Sequence, residues 1–346
     1  MTIKTQVFRT DSHNVQEILR TCGKIIKQGG TVAFPTETVY GVGADALNSE
    51  AVRKIFIAKG RPADNPLIVH ISTEAQLREI AQDIPETAFT LMNTFWPGPL
   101  TLILNKKAFI PEITTCGLDT IAVRMPNNPL ALGLIEESGT PIAAPSANLS
   151  GKPSPTTAEH VIADLNGKID AIIDGGPAII GVESTVLDLT SEIPELLRPG
   201  GISVEEIREH VGEVLVCDSL KGDVVKSPGM KYTHYSPETS MVLVLGNCIS
   251  VADKISELVS DYQLAGKRVG LLVTRETAEE VSSDHLFILG SRNDVSEIAR
   301  NLFAGLRHLD QQNLDVIIAD GGLKDEGIGA AVINRLRKAA DELVVI

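Results

Sequence analysis

At 346 residues the chain exceeds the roughly 250–300 over which one hydrophobic core usually grows, so two domains are expected. Apolar content of 43% and charged content of 22% suit a globular protein, and no run nears the roughly 18 consecutive apolar residues of a membrane span. With 31 Lys and Arg against 45 Asp and Glu, the net charge of −14 argues against stable nucleic-acid or anionic-lipid binding, so any anion site must be local.

The opening residues contain no apolar core followed by a small-residue cleavage site, so no signal peptide is read there and a cytoplasmic location is expected. Hydrophobic periodicity predicts a helix near 14–28 ended by Gly29-Gly30, a strand "TVAF", a helix near 50–58 and a strand "LIVH". Helices near 73–82 and 86–95 lead to strands "LTLIL" (100–104) and "TIAVRM" (120–125). A helix near 128–138, strand "PIAAP" (141–145), a helix near 156–165, strands "AIIDGG" (171–176) and "STVLDL" (184–189), and a helix near 203–211 follow. Periodicity lapses at 217–238 into a stretch rich in Pro, Gly, Lys and Tyr, which reads as an interdomain linker. Beyond it come strand "MVLVL" (241–245), a helix near 250–261, strands "RVGLLV" and "LFIL", a helix near 294–309, strand "DVIIA" and a last helix "GAAVINRLRKAA". The expected division is 1–212, a linker at 213–239, and 240–346. Both domains are α/β in pattern, and several strands end in the Pro, Gly, Ser or Asn loops where open α/β sheets bind ligands.

Cys22, Cys116, Cys217 and Cys248 form no C-x-x-C pair and read as structural. The loop "AFPTETVYGVGADA" (33–46) follows a strand and offers Thr36 and Thr38 hydroxyls, with Gly41 and Gly43 free to take unusual backbone angles beside a ligand; a plain strand-to-helix loop is the competing reading. No G-x-x-x-x-G-K-[ST], G-x-G-x-x-G, H-E-x-x-H or G-x-S-x-G motif occurs. In "KGRPADNPLIVH" (59–70) a helix stop explains Lys59, Gly60 and Pro62 but leaves Arg61, Asn65 and His70, a fork and an amide suited to an anionic or planar ligand; His70 could equally be a satisfied core histidine. Arg124 lies inside an apolar strand, where it needs either an acidic partner or a substrate carboxylate. In "APSANLSGKPSPTTAEH" (144–160), capping accounts for Thr156 or Thr157 but not for Ser146 and Asn148 at the strand end. "GVESTVLDL" and "LLRPGG" add Ser184 and Arg198.

Taken together, "FPTETVYGVGADA", "KGRPADNPLIVH", "TFWPGPLTLIL", "GLDTIAVRMP", "PIAAPSANLSGKPSPT", "GVESTVLDL", "LLRPGG" and "SPGMKYTHYSP" resemble, in order and spacing, the YrdC-like threonylcarbamoyl-AMP synthases. "GIGAAVINRLRKA" resembles the extra domain of their long, two-domain form. The resemblance implies an N-terminal α/β domain with a twisted, largely mixed sheet, and a smaller Rossmann-like domain after a long linker. It implies a nucleotidyltransferase joining L-threonine, bicarbonate and ATP into threonylcarbamoyl-AMP, pyrophosphate and water, for later threonylcarbamoylation of adenosine 37 in tRNA through a partner transferase. The family's K-x-R and S-x-N motifs correspond to Lys59-Gly60-Arg61 and Ser146-Ala147-Asn148, with Lys59 and Arg61 expected to be catalytic. Carried over, Thr36, His70, Arg124, Ala144 and Ser184 resemble the threonine shell. Lys59, Arg61, Asn65, Thr120, Ser146, Asn148, Ser154, Arg198 and Tyr235 resemble the nucleotide shell. Mg2+ is expected to arrive on the ATP phosphates rather than in a protein cage. Lys231, Tyr232, His234 and Tyr235 resemble a lid over the site. Two competing readings are a carbamoyl-adenylate-forming carbamoyltransferase, whose zinc-finger and acylphosphatase modules are lacking here, and a non-catalytic RNA-binding module, disfavoured by the charge and by only 4% aromatic residues.

Overall fold

The computed structural model describes residues 3–10, 14–217 and 235–346. Residues to Ser150, with Pro155–Ile179 and the segment from Glu183, form one compact unit; Gly151–Ser154, Ile180–Val182 and the C-terminal segment through Ile346 form the other. Lys231, Tyr232 and His234 of the expected lid lie outside the described residues. Among the described residues no helix is long and apolar enough to cross a membrane.

Among the described residues the first unit is built on twelve strands: β1 (Gln6–Arg9), β2 (Val32–Phe34), β3 (Gly41–Asp45), β4 (Ile68–His70), β5 (Ala81–Gln82), β6 (Leu100–Lys106), β7 (Thr120–Arg124), β8 (Ile142–Ala143), β9 (Ala171–Asp174), β10 (Thr185–Asp188), β11 (Glu195–Arg198) and β12 (Leu215–Val216). They lie in the order β1-β9-β2-β3-β8-β4-β7-β6-β10-β11-β12, with β5 beside β6. Pairing is mixed: β4 and β7 run parallel, whereas β3 and β4 both run antiparallel to β8. The inner strands are largely apolar because both faces of the sheet are covered. Val32 and Phe34 point into a core shared with Ile18, Ile26, Leu134 and Ile142, while Ala33, Val69, Val123 and Ala143 point into a larger core with Ile55, Leu77 and Leu91.

This alternation decides where chemistry can occur. Val69, Ile121 and Val123 belong to the larger core, so Ile68, His70, Ala122 and Arg124 face the other way, where a small apolar cluster includes Ile68, Ile103, Ala122, Val186 and Leu197. One expectation needs correction: residues 41–45 are strand β3 rather than loop, and neither Gly41 nor Gly43 takes a left-handed angle. The physical reason is packing, since a Cβ at Gly43 would collide with Ile142 and Phe34. The sequence pattern does not give β1, β5, β11 or β12; they are segments of two to four residues at or next to the sheet margins, with little hydrophobic period to read.

In the second unit β13 (Met241–Leu245), β14 (Val269–Val273), β15 (His285–Ile288), β16 (Val316–Gly321) and β17 (Glu342–Val345) form a wholly parallel sheet in the order β15-β14-β16-β13-β17. Its first helix runs over Cys248–Leu264, two residues earlier and three later than the sequence pattern suggests, because Asn247 caps it by accepting from Ser250 N–H. Fully buried Asp320, near the C-terminal end of the central strand β16, accepts from both Thr274 and Thr277 hydroxyls and from Arg292.

Candidate active site

The helix Ser49–Lys59 ends at Gly60, whose φ of +61° is the left-handed conformation that suits glycine; Gly60 N–H and Arg61 N–H return to the carbonyls of Ile57 and Phe56. That cap aims the next residues. Arg61 donates from Nη2 to the Asn65 carbonyl at 2.9 Å, and its guanidinium lies 5.9 Å from the Phe56 ring centre. The Asn65 side chain is fully buried, and neither its oxygen nor its nitrogen has a hydrogen-bond partner. Lys59 is 3% exposed, and its ammonium donates to the carbonyls of Ser146 at 2.5 Å and Asn148 at 2.6 Å. The two motifs singled out in the sequence are therefore mechanically joined. Ser146 Oγ donates in turn to Asn148 Oδ1 at 2.5 Å, and the Ser150 N–H binds the Lys59 carbonyl.

A second group gathers around Arg124. Its Nε donates to the Gly98 carbonyl at 3.2 Å and its Nη1 to Thr38 Oγ1 at 2.9 Å, while Nη2 lies 2.6 Å from Glu37. Of the two readings open for Arg124, the acidic partner exists. The pairing is close but poorly aligned, leaving Nη2 and both Glu37 oxygens without a proper hydrogen bond. Thr36 and Thr38 share a 2.8 Å contact between hydroxyls, and Thr36 Oγ1 also donates to the Val39 carbonyl. It is Thr38, not Thr36, that touches Arg124.

His70 stands opposite Arg124 in the β4–β7 register and meets the Phe34 ring edge-on. Its Nδ1 is buried and unpartnered. Burial first, and Arg124 second, hold the imidazole pKa down to about 3, so the ring is neutral near pH 7. An unfolded histidine takes a proton near pH 6.5, so this site contributes stability that is full above that value and is lost as pH falls toward 3. His70→Asn should accordingly lose about 2–3 kcal/mol less stability than the parent between pH 7.5 and 4.5, read from denaturant midpoints. Equal losses in the two proteins would contradict the neutral buried ring.

Ala144 is buried and donates its N–H to the Ile68 carbonyl. Ser184 Oγ lies 2.8 Å from Thr101 Oγ1, and Arg198 grips Ser184 through its carbonyl and hydroxyl at 2.9 and 3.1 Å. Thr120 is half-buried opposite Asn105 and, four residues before Arg124, stands about 13 Å from it along β7. Ser154 and Tyr235 belong to the second unit. Ser154 is buried there; the Tyr235 ring, at a φ of +69°, packs on Phe303 with the Arg335 guanidinium 5.8 Å away. Thr157, rather than Thr156, caps the helix Ala158–Leu165.

Sequence reasoning missed Glu37, Thr101 and the Gly98 carbonyl. A signal for Glu37 existed: a buried guanidinium demands an acid, and Glu37 lies between two threonines already singled out. Among the described residues no three His, Cys, Asp or Glu side chains gather as a metal site.

A family model described as "Telomere recombination" (Sua5, YciO and YrdC) matches residues 24–200, and one described as "Threonylcarbamoyl-AMP synthase, C-terminal domain" matches 202–341. The threonylcarbamoyl-AMP synthase of Pyrococcus abyssi is 52% identical over 330 residues, covering 94% of this chain and 95% of its own. That of Bacillus subtilis is 51% identical over 325 residues, covering 93% and 92%. The crystal structure of the P. abyssi protein complexed with L-threonine superposes with a TM-score of 0.93 at 49% identity, covering 99% of each chain. The chain belongs to the threonylcarbamoyl-AMP synthases, in their two-domain form.

Proposed function

We propose that this enzyme condenses L-threonine, bicarbonate and ATP into threonylcarbamoyl-AMP, releasing pyrophosphate and water. The observation that carries this is the group of buried polar atoms without aligned partners at Glu37, His70 and Arg124, which the Arg124–Glu37 ion pair and the β4–β7 register bring together. Native interiors pair such groups, so their clustering marks where a polar ligand completes the structure. Thr36, His70, Arg124, Ala144 and Ser184 are assigned to threonine. Lys59, Arg61, Asn65, Thr120, Ser146, Asn148 and Arg198 are assigned to the nucleotide, with Lys59 acting on the reaction through the Ser146–Asn148 loop it holds.

Threonine brings a carboxylate, bicarbonate a second charge and ATP several more. Two unit charges 4 Å apart interact by about 1 kcal/mol in water but about 4 kcal/mol at an effective dielectric of 20, so a site holding the buried Lys59, Arg124 and Arg198 magnifies both repulsion and its relief by these cations and Arg61. The amine takes up the carbon of bicarbonate, and the carbamate oxygen then attacks the α-phosphate as pyrophosphate leaves. No covalent enzyme intermediate is needed. The donors named here are cations and amides, a set suited to phosphates, so Mg2+ is proposed to come in on ATP. The labile product is proposed to pass to a cytoplasmic tRNA threonylcarbamoyltransferase.

The test is pyrophosphate release by purified protein given ATP, bicarbonate and threonine. Release that requires threonine is the expected result. Release that requires carbamoyl phosphate instead would move the chain to the carbamoyl-adenylate chemistry, and salt-sensitive tRNA binding without turnover would favour an RNA-binding role.

A further inference from the structure

We infer that Glu37 receives the α-ammonium of threonine and takes up the proton its amine must shed, an inference that rests on the synthase reading above. Glu37 is 5% exposed, beside Thr36 and Thr38. A buried carboxylate ordinarily collects several donors. This one lies 2.6 Å from Arg124 Nη2, yet neither of its oxygens has an aligned donor, and Nη2 itself has no aligned acceptor. The two are paired as ions without an aligned hydrogen bond, so the carboxylate can take a further donor and the guanidinium a further acceptor, which is the complement of a zwitterion. An α-amino acid presents those two charges on one carbon, its carboxylate for Arg124 and its ammonium for Glu37.

The proton balance gives this placement a chemical task. Ammonium and bicarbonate, R–NH3+ and HCO3−, become the carbamate R–NH–COO−, one water and one proton. The C–N bond forms while the bicarbonate oxygen leaves as water; of the four hydrogens involved, two depart in that water, one stays on nitrogen and one needs a base. Lys59, Arg61, Arg124 and Arg198 are cations, and the charged group paired with Glu37 is Arg124 of β7, whose register neighbour on β4 is His70. Glu37 is the carboxylate placed to accept that proton, which it returns to water after the carbamate oxygen has attacked the α-phosphorus and the bond to pyrophosphate has broken.

Glu37→Gln tests this, because it keeps the shape and an acceptor for Arg124 but removes the basicity. At saturating substrates and neutral pH its threonine-dependent pyrophosphate release should fall roughly 10²–10⁴-fold. The variant's rate should then recover as pH rises through the amine's own pKa, where threonine arrives already deprotonated; the parent should show no comparable rise, and the KM for ATP should hold. A purely structural role predicts no alkaline recovery. If the parent is active and Glu37→Gln either keeps its rate within a few-fold or loses it without that recovery, the inference is wrong. If the parent itself shows no threonine-dependent release, the synthase reading fails instead. Should the glutamine variant fail to fold, Glu37→Asp decides: a retracted carboxylate should raise the threonine KM and lower kcat, and unchanged values of both would overturn the assignment.

Discussion

Replacing Arg124 with leucine should destabilise the protein by roughly 3–5 kcal/mol and abolish threonine-dependent pyrophosphate release. Arg124 is 4% exposed on its side chain and Glu37 is 6% exposed, with 2.6 Å between their charged atoms. Removing the cation leaves a carboxylate buried without compensation, and also takes away the donor that Arg124 gives to the Gly98 carbonyl and to the Thr38 hydroxyl. The double variant Arg124→Leu with Glu37→Leu separates stability from function. Replacing both members of a buried pair by apolar groups is often near neutral, so much of the lost stability should return while activity stays absent. Denaturant midpoints of the parent, both single variants and the double variant measure the cycle. Strictly additive losses would mean that the two charges do not feel each other in the folded protein.

Much of the fold was legible because its elements obey strong local rules. The helix at Ser49–Lys59 carries an N-cap at Asn48 and a glycine stop at Gly60, and strands such as β6 and β13 are apolar runs easily read from the sequence. What escaped depends on residues distant in sequence. β3 reads as a glycine-rich loop because Gly43 answers to Ile142 and Phe34, about a hundred and about ten residues away, and not to a local turn. The site divides the same way. Motif spacing pointed to Lys59, Ser146 and Asn148 separately, but that the lysine holds the other two is a tertiary fact spanning 87 and 89 residues. The partner of Arg124 was deducible in kind from the cost of burying a charge, though not in identity, since an acid could lie on any strand packed nearby.

Lys59→Met should cost about 2–4 kcal/mol of stability and lower ATP-dependent turnover sharply, through the loop it holds. The methionine keeps the alkyl volume of this buried side chain while leaving the Ser146 and Asn148 carbonyls without the donor they now share, at about 1–3 kcal/mol for each unsatisfied group. Asn148 matters to the same loop, since its side chain accepts from Ser146 Oγ and donates to the Leu149 carbonyl at 2.7 Å. Asn148→Ala should therefore release the loop from the other side. If Lys59 acts by positioning, the two losses in kcat/KM for ATP overlap, and the double variant is little worse than the weaker single one, a coupling of about 1–3 kcal/mol. If Lys59 instead grips phosphate by itself, the losses add. Threonine affinity, measured without nucleotide, distinguishes a local from a general collapse: Arg124, Thr38 and His70 are held by their own contacts, so Lys59→Met should leave it nearly unchanged. A joint loss of threonine and ATP binding would show that the loop supports the whole site, and the division into two shells would have to be abandoned.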